Sequence, residues 1–437
     1  MTRGTSMKII PTLVLGLFSS YASASGFQLT EQNASGLGNA YAGSAAVAEN
    51  ASTVFYNPAG MTQLQSREFS GGLAAITTSY KFSNGSSNTG LLSGNGGDGG
   101  GTGFVPNAYL SLALTKDLYV GLGVGAPFGL KTEYDNPWTG AAQSHKFEVK
   151  TMNVNPSLAY RVNDKVSLGL GLNWQKLDAQ YVRTAGVGPV PGAPSQSNPF
   201  SGVPTQLSTA DLNLNDNAWG WNIGGLFTVS ATTKVGVSYR SAIQYHATGS
   251  VNVSGNPVAA FDRATSSNVK ADIKLPDTFI LSVTQKLNDK WEMLGDLSWT
   301  GWSSIPKIDI IRTSGVQNGA IAQTLATDFR DTWRVALGAN YQYNDTWKLK
   351  YGIAYDQTPV KGADTRLVSL PDNNRVWFSA GAQWKPSKAT TVDIGAAYLY
   401  VKDGQINNNQ LTSLRGLVNG TYQDSAWILG AQYSQAF

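Results

Sequence analysis

The sequence predicts an all-β fold: a transmembrane antiparallel β-barrel of about fourteen strands, with its N-terminal segment held as a plug in the lumen. Three observations carry this prediction. Only 14% of the 437 residues are charged, against about 25% in soluble domains. No stretch beyond the N-terminus reaches the roughly 18 uncharged apolar residues that a spanning helix needs. From Arg67 onward, apolar and polar residues alternate with period two, in runs divided by tight turns and long loops. Lipid satisfies no free backbone group, so a chain that spans without helices must close into a barrel.

The same composition excludes other classes. The chain is 41% hydrophobic and 11% aromatic, with 48 glycines. Its net charge of +4 is dispersed, with no Lys/Arg run, so nucleic acid is not expected as a partner. Cysteine is absent, which removes disulfides and thiolate chemistry. His145 and His246 are the only histidines. Both lie near expected outer strand ends, outside any nucleophile motif, so catalysis is not expected. No cofactor or metal is implied, and no nucleotide loop or energy-coupling motif is recognisable.

Residues 1–24 carry Arg3 and Lys8, an apolar run from Ile9 to Phe18, and Ala22-Ser23-Ala24. This is the pattern of a secretory signal, too short to anchor, and places the mature start at Ser25. Residues 25–66 are rich in Gly, Ala, Ser and Asn, and Ala40 to Asn50 suits a short helix. Asn57-Pro58-Ala59 opens a turn, and Pro58 has no N–H for a strand ladder. Phe27, Leu37, Tyr41, Val54, Phe55, Tyr56 and Met61 supply more apolar area than a disordered tail carries. The segment therefore reads as a plug, and residues 67–437 as the barrel.

Tight turns are expected at Lys116-Asp117, Asn163-Asp164, Ser230 to Thr233, Asn288-Asp289, Asn344-Asp345 and Ser387-Lys388. Each divides two runs of about 9 to 11 residues or more, enough to cross as tilted strands. A further strand near Glu68 to Phe82 and another near Tyr422 to Phe437 bring the total to about fourteen, even as in bacterial barrels. Long connections at Ser83 to Gly103, Thr184 to Asn217, Thr248 to Asn268 and Ser314 to Ala326 mark the outer side.

Parity assigns the faces. Leu168, Leu170, Leu172 and Trp174 face lipid, while Gly169, Gly171, Asn173, Gln175 and Arg183 face the lumen. Around Phe329 to Tyr343, parity turns Trp333, Val335 and Leu337 outward and Arg330 and Arg334 inward. A lipid-facing arginine near the midplane would cost about 2–4 kcal/mol. The third strand alternates from Leu118 to Val124 and is then interrupted by Gly125-Ala126-Pro127-Phe128-Gly129. Proline removes a ladder bond, so the wall either bulges open here or the strand ends at Val124.

Ser25-Gly26-Phe27-Gln28-Leu29, Ser35 to Gly43 and Asn57-Pro58-Ala59 resemble the N-terminal hatch of the FadL family of outer-membrane transporters of long-chain fatty acids and other hydrophobic compounds. The resemblance continues through Trp333 to Gly338, Tyr351 to Asp356, Leu370-Pro371-Asp372 and the C-terminal Phe437, covering essentially the whole mature chain. It implies a fourteen-stranded barrel in the outer membrane of a Gram-negative bacterium. It also implies a lateral opening at Gly125, Ala126, Pro127 and Gly129, beside the Asn57-Pro58-Ala59 turn. By this resemblance Arg183 and Arg330 receive a cargo carboxylate in an apolar pocket, Phe27 acts as a gate, and cargo moves passively from the outer loops into outer-membrane lipid. The alternative cargo is a neutral monoaromatic hydrocarbon. A lipid-modifying barrel enzyme or an open porin is the lesser expectation. Phe437 resembles the terminal signal read by the barrel assembly machinery, and a monomer is expected.

Overall fold

The computed structural model describes residues 26–84 and 92–437. The signal segment and Ser25 lie outside the described residues. Among the described residues, twenty strand segments, six of which continue the preceding strand across a short break, make fourteen strands. Each pairs antiparallel with the next, and the first (Arg67–Asn84) pairs with the last (Leu417–Ala436) from Glu68↔Ala436 to Asn84↔Gly420. This pairing closes the sheet on itself. Among the described residues no helix is long and apolar enough to cross a membrane.

The tight turns form where expected because their side chains hold them. Asn163, Asn288 and Asn344 each accept two backbone N–H bonds, from residues two and three further on, at 2.9–3.0 Å. This Asx geometry reverses a strand locally. The lipid face also follows parity: Leu168, Leu170, Leu172, Trp333, Val335 and Leu337 are exposed, while Asn173 and Gln175 are buried.

The outer connections are shorter than the sequence suggests. The sixth strand already begins at Thr209 (Thr209–Thr228), the seventh ends at Ser254 (Thr233–Arg240, Ile243–Ser254), and the eighth starts at Ser267 (Ser267–Leu275, Thr278–Lys286). Parity is kept there, but the chemistry inverts. On the fifth strand (Val166–Thr184) Gly169, Asn173 and Gln175 face inward at membrane depth, whereas further out Leu177 and Tyr181 face inward and Lys176 and Asp178 outward. On the sixth, Ala210, Leu212 and Leu214 are buried above Asn222. Beyond the bilayer water replaces lipid outside, so the apolar face turns in and lines an internal pocket.

Residues 26–66 pack against lumenal positions around the ring. Ala34 N donates to Gln432 Oε1 (3.1 Å), Asn39 Nδ2 to Asn340 Oδ1 (3.1 Å), Ala45 N to Ser282 Oγ (3.0 Å) and Asn57 Nδ2 to Gly225 O (2.9 Å). The helix expected over Ala40 to Asn50 is absent. Ala40 (φ 49°), Tyr41 (φ 58°) and Ala48 (φ 47°) are left-handed and turn the chain repeatedly, which a right-handed helix forbids. These turns press the segment onto wall glycines: a Cβ at Gly352 would lie 2.1 Å from Asn39 C, and one at Gly169 2.3 Å from Ala59 N.

Candidate functional site

The site begins at the break in the third strand (Leu118–Gly125, Gly129–Glu133). Its ladder with the second strand (Thr102–Ala113) stops at Ala108↔Val124, although the second strand runs on to Thr102 beside the first. Past Pro127 the third strand pairs only with the fourth (Lys146–Asn163), from Gly129↔Lys150 to Glu133↔Lys146. Among the described residues, Thr102–Asn107 and the break therefore face each other without ladder bonds. Higher up, Glu133 N donates to Gly99 O and Gly99 N to Tyr80 O, both at 2.9 Å, which bounds the gap.

The backbone groups freed by Pro127 are taken by the N-terminal segment. Leu29 N donates to Pro127 O (2.7 Å) and Gly129 N to Phe27 O (2.9 Å). The Gln32 amide donates to Ala126 O (2.8 Å) and accepts from Ala126 N (3.1 Å). Phe27 to Gln32 thus act as a short inner strand behind the gap. The sequence led us to expect Asn57-Pro58-Ala59 there. Instead, Ala59 packs on Gly169 and Asn57 on Gly224 and Gly225, of the fifth and sixth strands. Asn57 is fully buried. It caps the turn that Pro58 starts by accepting from Ala59 N (3.1 Å).

Above the N-terminal segment lies an apolar pocket of about 740 Å³, lined by Phe147, Val149, Leu177, Leu212, Leu214, Ile273, Ile308, Ile310, Leu325 and Leu370. Below it lies a second chamber of about 1000 Å³ with a mixed lining, in which Gln175, Arg240, Asp296 and Arg334 stand among Leu29, Phe55, Ile243 and Ile280. Four rings separate them. Phe27 meets Trp302 at 4.9 Å and Phe128 at 6.0 Å between centroids, and Trp302 meets Phe329 at 5.8 Å. Phe27 lines the pocket and Phe128 the chamber. The aromatic layer therefore spans from the hatch to the break itself.

Arg183 is 9% exposed and stands one inward-facing position beyond the pocket residue Tyr181. Its Nε donates to Gln323 Oε1 (2.9 Å), and its Nη1 to Thr184 O and Ala185 O. Arg330 is placed differently from expectation. It lies between two segments of the tenth strand (Ile321–Leu325, Thr332–Gln342), so strand parity does not reach it. Phe329 takes the pocket position, and Arg330 donates through Nε to Thr358 O (3.1 Å) instead. Arg334 does face inward, its Nη2 donating to the hatch at Ala40 O (2.7 Å).

Sequence reasoning missed Arg312 and Arg415. Arg312 follows Ile308 and Ile310 on one face of the ninth strand (Trp291–Thr300, Ile308–Arg312), a spacing readable once the inversion is known. Arg415 comes from an outer loop with no periodic signal, and burial pushes its guanidinium below the usual arginine range. His145 is half-buried, and His246 sits exposed beside Asp272 (2.7 Å); neither is in the pocket.

Comparison with known proteins agrees with this architecture. Residues 15–437 match the family model described as outer membrane protein transport protein (OMPP1/FadL/TodX). The chain is 30% identical to the long-chain fatty acid transport protein of Escherichia coli O157:H7, over 97% of each chain. It is also 30% identical to outer membrane protein P1 of Haemophilus influenzae, over 95% of this chain and 96% of that one. Among solved structures, a Pseudomonas aeruginosa FadL homologue superposes with a TM-score of 0.84 at 21% identity, covering 94% of this chain and 99% of that one. The Ralstonia pickettii toluene transporter TbuX gives 0.66 at 18% identity, over 93% and 98%. The barrel, its inner segment and a match spanning nearly the whole length place the chain in the outer membrane as a member of the OMPP1/FadL/TodX family of outer-membrane transport proteins.

Proposed function

We propose that this protein carries long-chain fatty acids across the outer-membrane surface and releases them sideways into lipid. The observation that supports this most is the pocket: a chamber lined mainly by apolar side chains, under buried arginines and above an aromatic floor. A fatty-acid tail gains about 0.8 kcal/mol per CH₂ on leaving water, while its carboxylate needs a charged partner. Arg183 offers that partner at the rim through its bidentate fork. Arg330, turned to Thr358, takes no part.

Residues 26–66 serve as the hatch that blocks the straight path, and Phe27 as its gate to the break. Cargo captured on the outer loops settles in the pocket, passes the aromatic layer and leaves through the gap between the second and third strands. Nothing in this route consumes energy, so transport is facilitated diffusion. A second reading, neutral aromatic hydrocarbon, draws on the apolar lining and on the toluene transporter among the structural neighbours. Binding of oleate and toluene to purified protein, with and without Arg183→Ala, separates the two. The fatty-acid reading requires oleate affinity to fall by about tenfold or more, and oleate binding that ignores Arg183 would sink it.

A further inference from the structure

We propose that the pocket rim is built for an amphiphile whose head carries two negative charges, such as an alkyl phosphate, with Arg312 and Arg415 joining Arg183 to hold it. This inference rests on the reading of the pocket as a cargo site and specifies its head group.

Arg183, Arg312 and Arg415 are 9%, 8% and 8% exposed. Arg183 and Arg312 each stand one inward-facing position beyond a pocket residue, Tyr181 and Ile310. Arg415 descends from the last outer loop, and its Nη2 donates to Ala322 O (3.2 Å), next to the Gln323 that Arg183 holds. Arg312 N donates to Ala320 O (2.9 Å), on the same segment that carries Ala322 and Gln323.

What the cluster lacks is an acid. None of the three forms an ion pair among the described residues, and the remaining residues include no Asp or Glu. Asp262, on the short helix nearby, spends its carboxylate on Ser208 Oγ (3.0 Å) and Asn256 N (2.9 Å). The arginines bond only neutral oxygens: Thr184 O, Ala185 O and Gln323 Oε1 for Arg183, Thr265 O for Arg312, and Ala322 O for Arg415. Elsewhere in the lumen Lys350 is matched by Glu49 and Asp393 and Arg375 by Asp372, whereas Arg334 and Arg366 stand singly on backbone oxygens; at the rim three such arginines converge.

Three desolvated, unmatched cations are unfavourable in the empty protein, so an anion arriving there is strongly favoured. A single carboxylate supplies one charge and two oxygens. A phosphate monoester supplies about −1.5 to −2 at pH 7 and three acceptor oxygens. It is the better match to three guanidiniums.

The test titrates the purified full-length protein, in nonionic detergent, with dodecyl phosphate, laurate and dodecanol. Dodecyl phosphate should bind about tenfold tighter than laurate at pH 7.5, the advantage shrinking towards pH 5 as its second proton (pKa about 6) returns. Arg312→Gln and Arg415→Gln should each weaken dodecyl phosphate by about tenfold while changing laurate by less than about threefold. Arg312→Lys and Arg415→Lys retain the charge and, with heat-modifiable gel mobility, show that the barrel is folded. Equal affinity for phosphate and laurate overturns the proposal, as does phosphate binding indifferent to both Gln variants. If laurate depends on Arg183 yet phosphate is no tighter, this inference alone fails. If laurate also ignores Arg183→Ala, the cargo-site reading fails with it.

Discussion

Phe27 and Trp302 meet edge to face, 4.9 Å between ring centroids and 67° between planes, and this contact ties the hatch to the wall at the pocket floor. It demands Gly26 before it: the backbone there has φ +64°, and a Cβ would lie 2.7 Å from the indole. Phe27→Ala removes the floor between pocket and chamber. Because Phe27 lines the pocket, the truncation also removes apolar surface that the bound tail would cover, at about 25 cal/mol per Å², so laurate should bind about tenfold more weakly. Calorimetric titration checks this, and an unchanged affinity would remove Phe27 from the route.

The gap at Pro127 predicts a separation of binding from release. Ala126 is fully buried, with both its amide and its carbonyl held by Gln32. Filling this position with Ala126→Leu, or adding bulk at Gly125, should block the passage beside the hatch. Oleate uptake by cells should then fall to background while affinity in purified protein stays within about threefold. Uptake at the parental rate in a correctly assembled variant would rule out exit at this place.

How much of this was legible beforehand follows from where the chain meets lipid. Leu168, Leu170 and Leu172 revealed the wall because hydrocarbon outside and water within impose one alternation on the whole span. Ala210, Leu212 and Leu214 follow the same parity with the opposite chemistry, so they read as loop, and the place of Leu212 and Leu214 in the pocket lining could not be read from the pattern. Arg183 was found by resemblance, whereas Arg330 was misplaced because parity was carried through a break between Leu325 and Thr332. Trp302 and Arg415 lie in irregular segments brought to the pocket by closure of the ring, which no local pattern encodes.

A buried ion pair fixes the opposite side of the hatch. The Lys350 ammonium, 1% exposed as a residue, contacts Glu49 of the hatch and Asp393 (3.1 Å) and donates to Ser35 O (2.8 Å). Burial would raise the Glu49 carboxyl, but Lys350 and Lys348 outweigh it and hold the group below the usual range. Lys350→Met would leave Asp393 buried without its cation and Glu49 with Lys348 alone (3.3 Å), and breaking such a buried pair costs about 3–5 kcal/mol. The damage should be confined to the seat of the hatch. Hydrogen exchange over residues 33–57 should accelerate while the wall strands stay protected, and uniform protection would show that the pair does not hold the hatch.

Glu31 makes the hatch sensitive to pH. It is fully buried, and among the described residues no other residue donates a hydrogen bond to its carboxylate. Burial raises it to about 7, with its own backbone N–H, Arg334 and Arg375 opposing and Asp356 reinforcing the shift; Tyr41 and Tyr56 are also within electrostatic reach. A raised carboxyl favours the folded hatch when protonated. Between its ordinary value of 4.5 and about 7 the seated form retains a proton that the unseated form releases, so stability falls as pH rises through that window. The full effect is about 3 kcal/mol, at 1.36 kcal/mol per pKa unit. Below the window Glu31→Gln should behave like the parent. Above it, the parent hatch should be cleaved by protease faster than the variant, so the ratio of their rates at pH 5 and pH 8 is the measurement. A ratio that does not change with pH would show that Glu31 is ionised, or compensated, throughout.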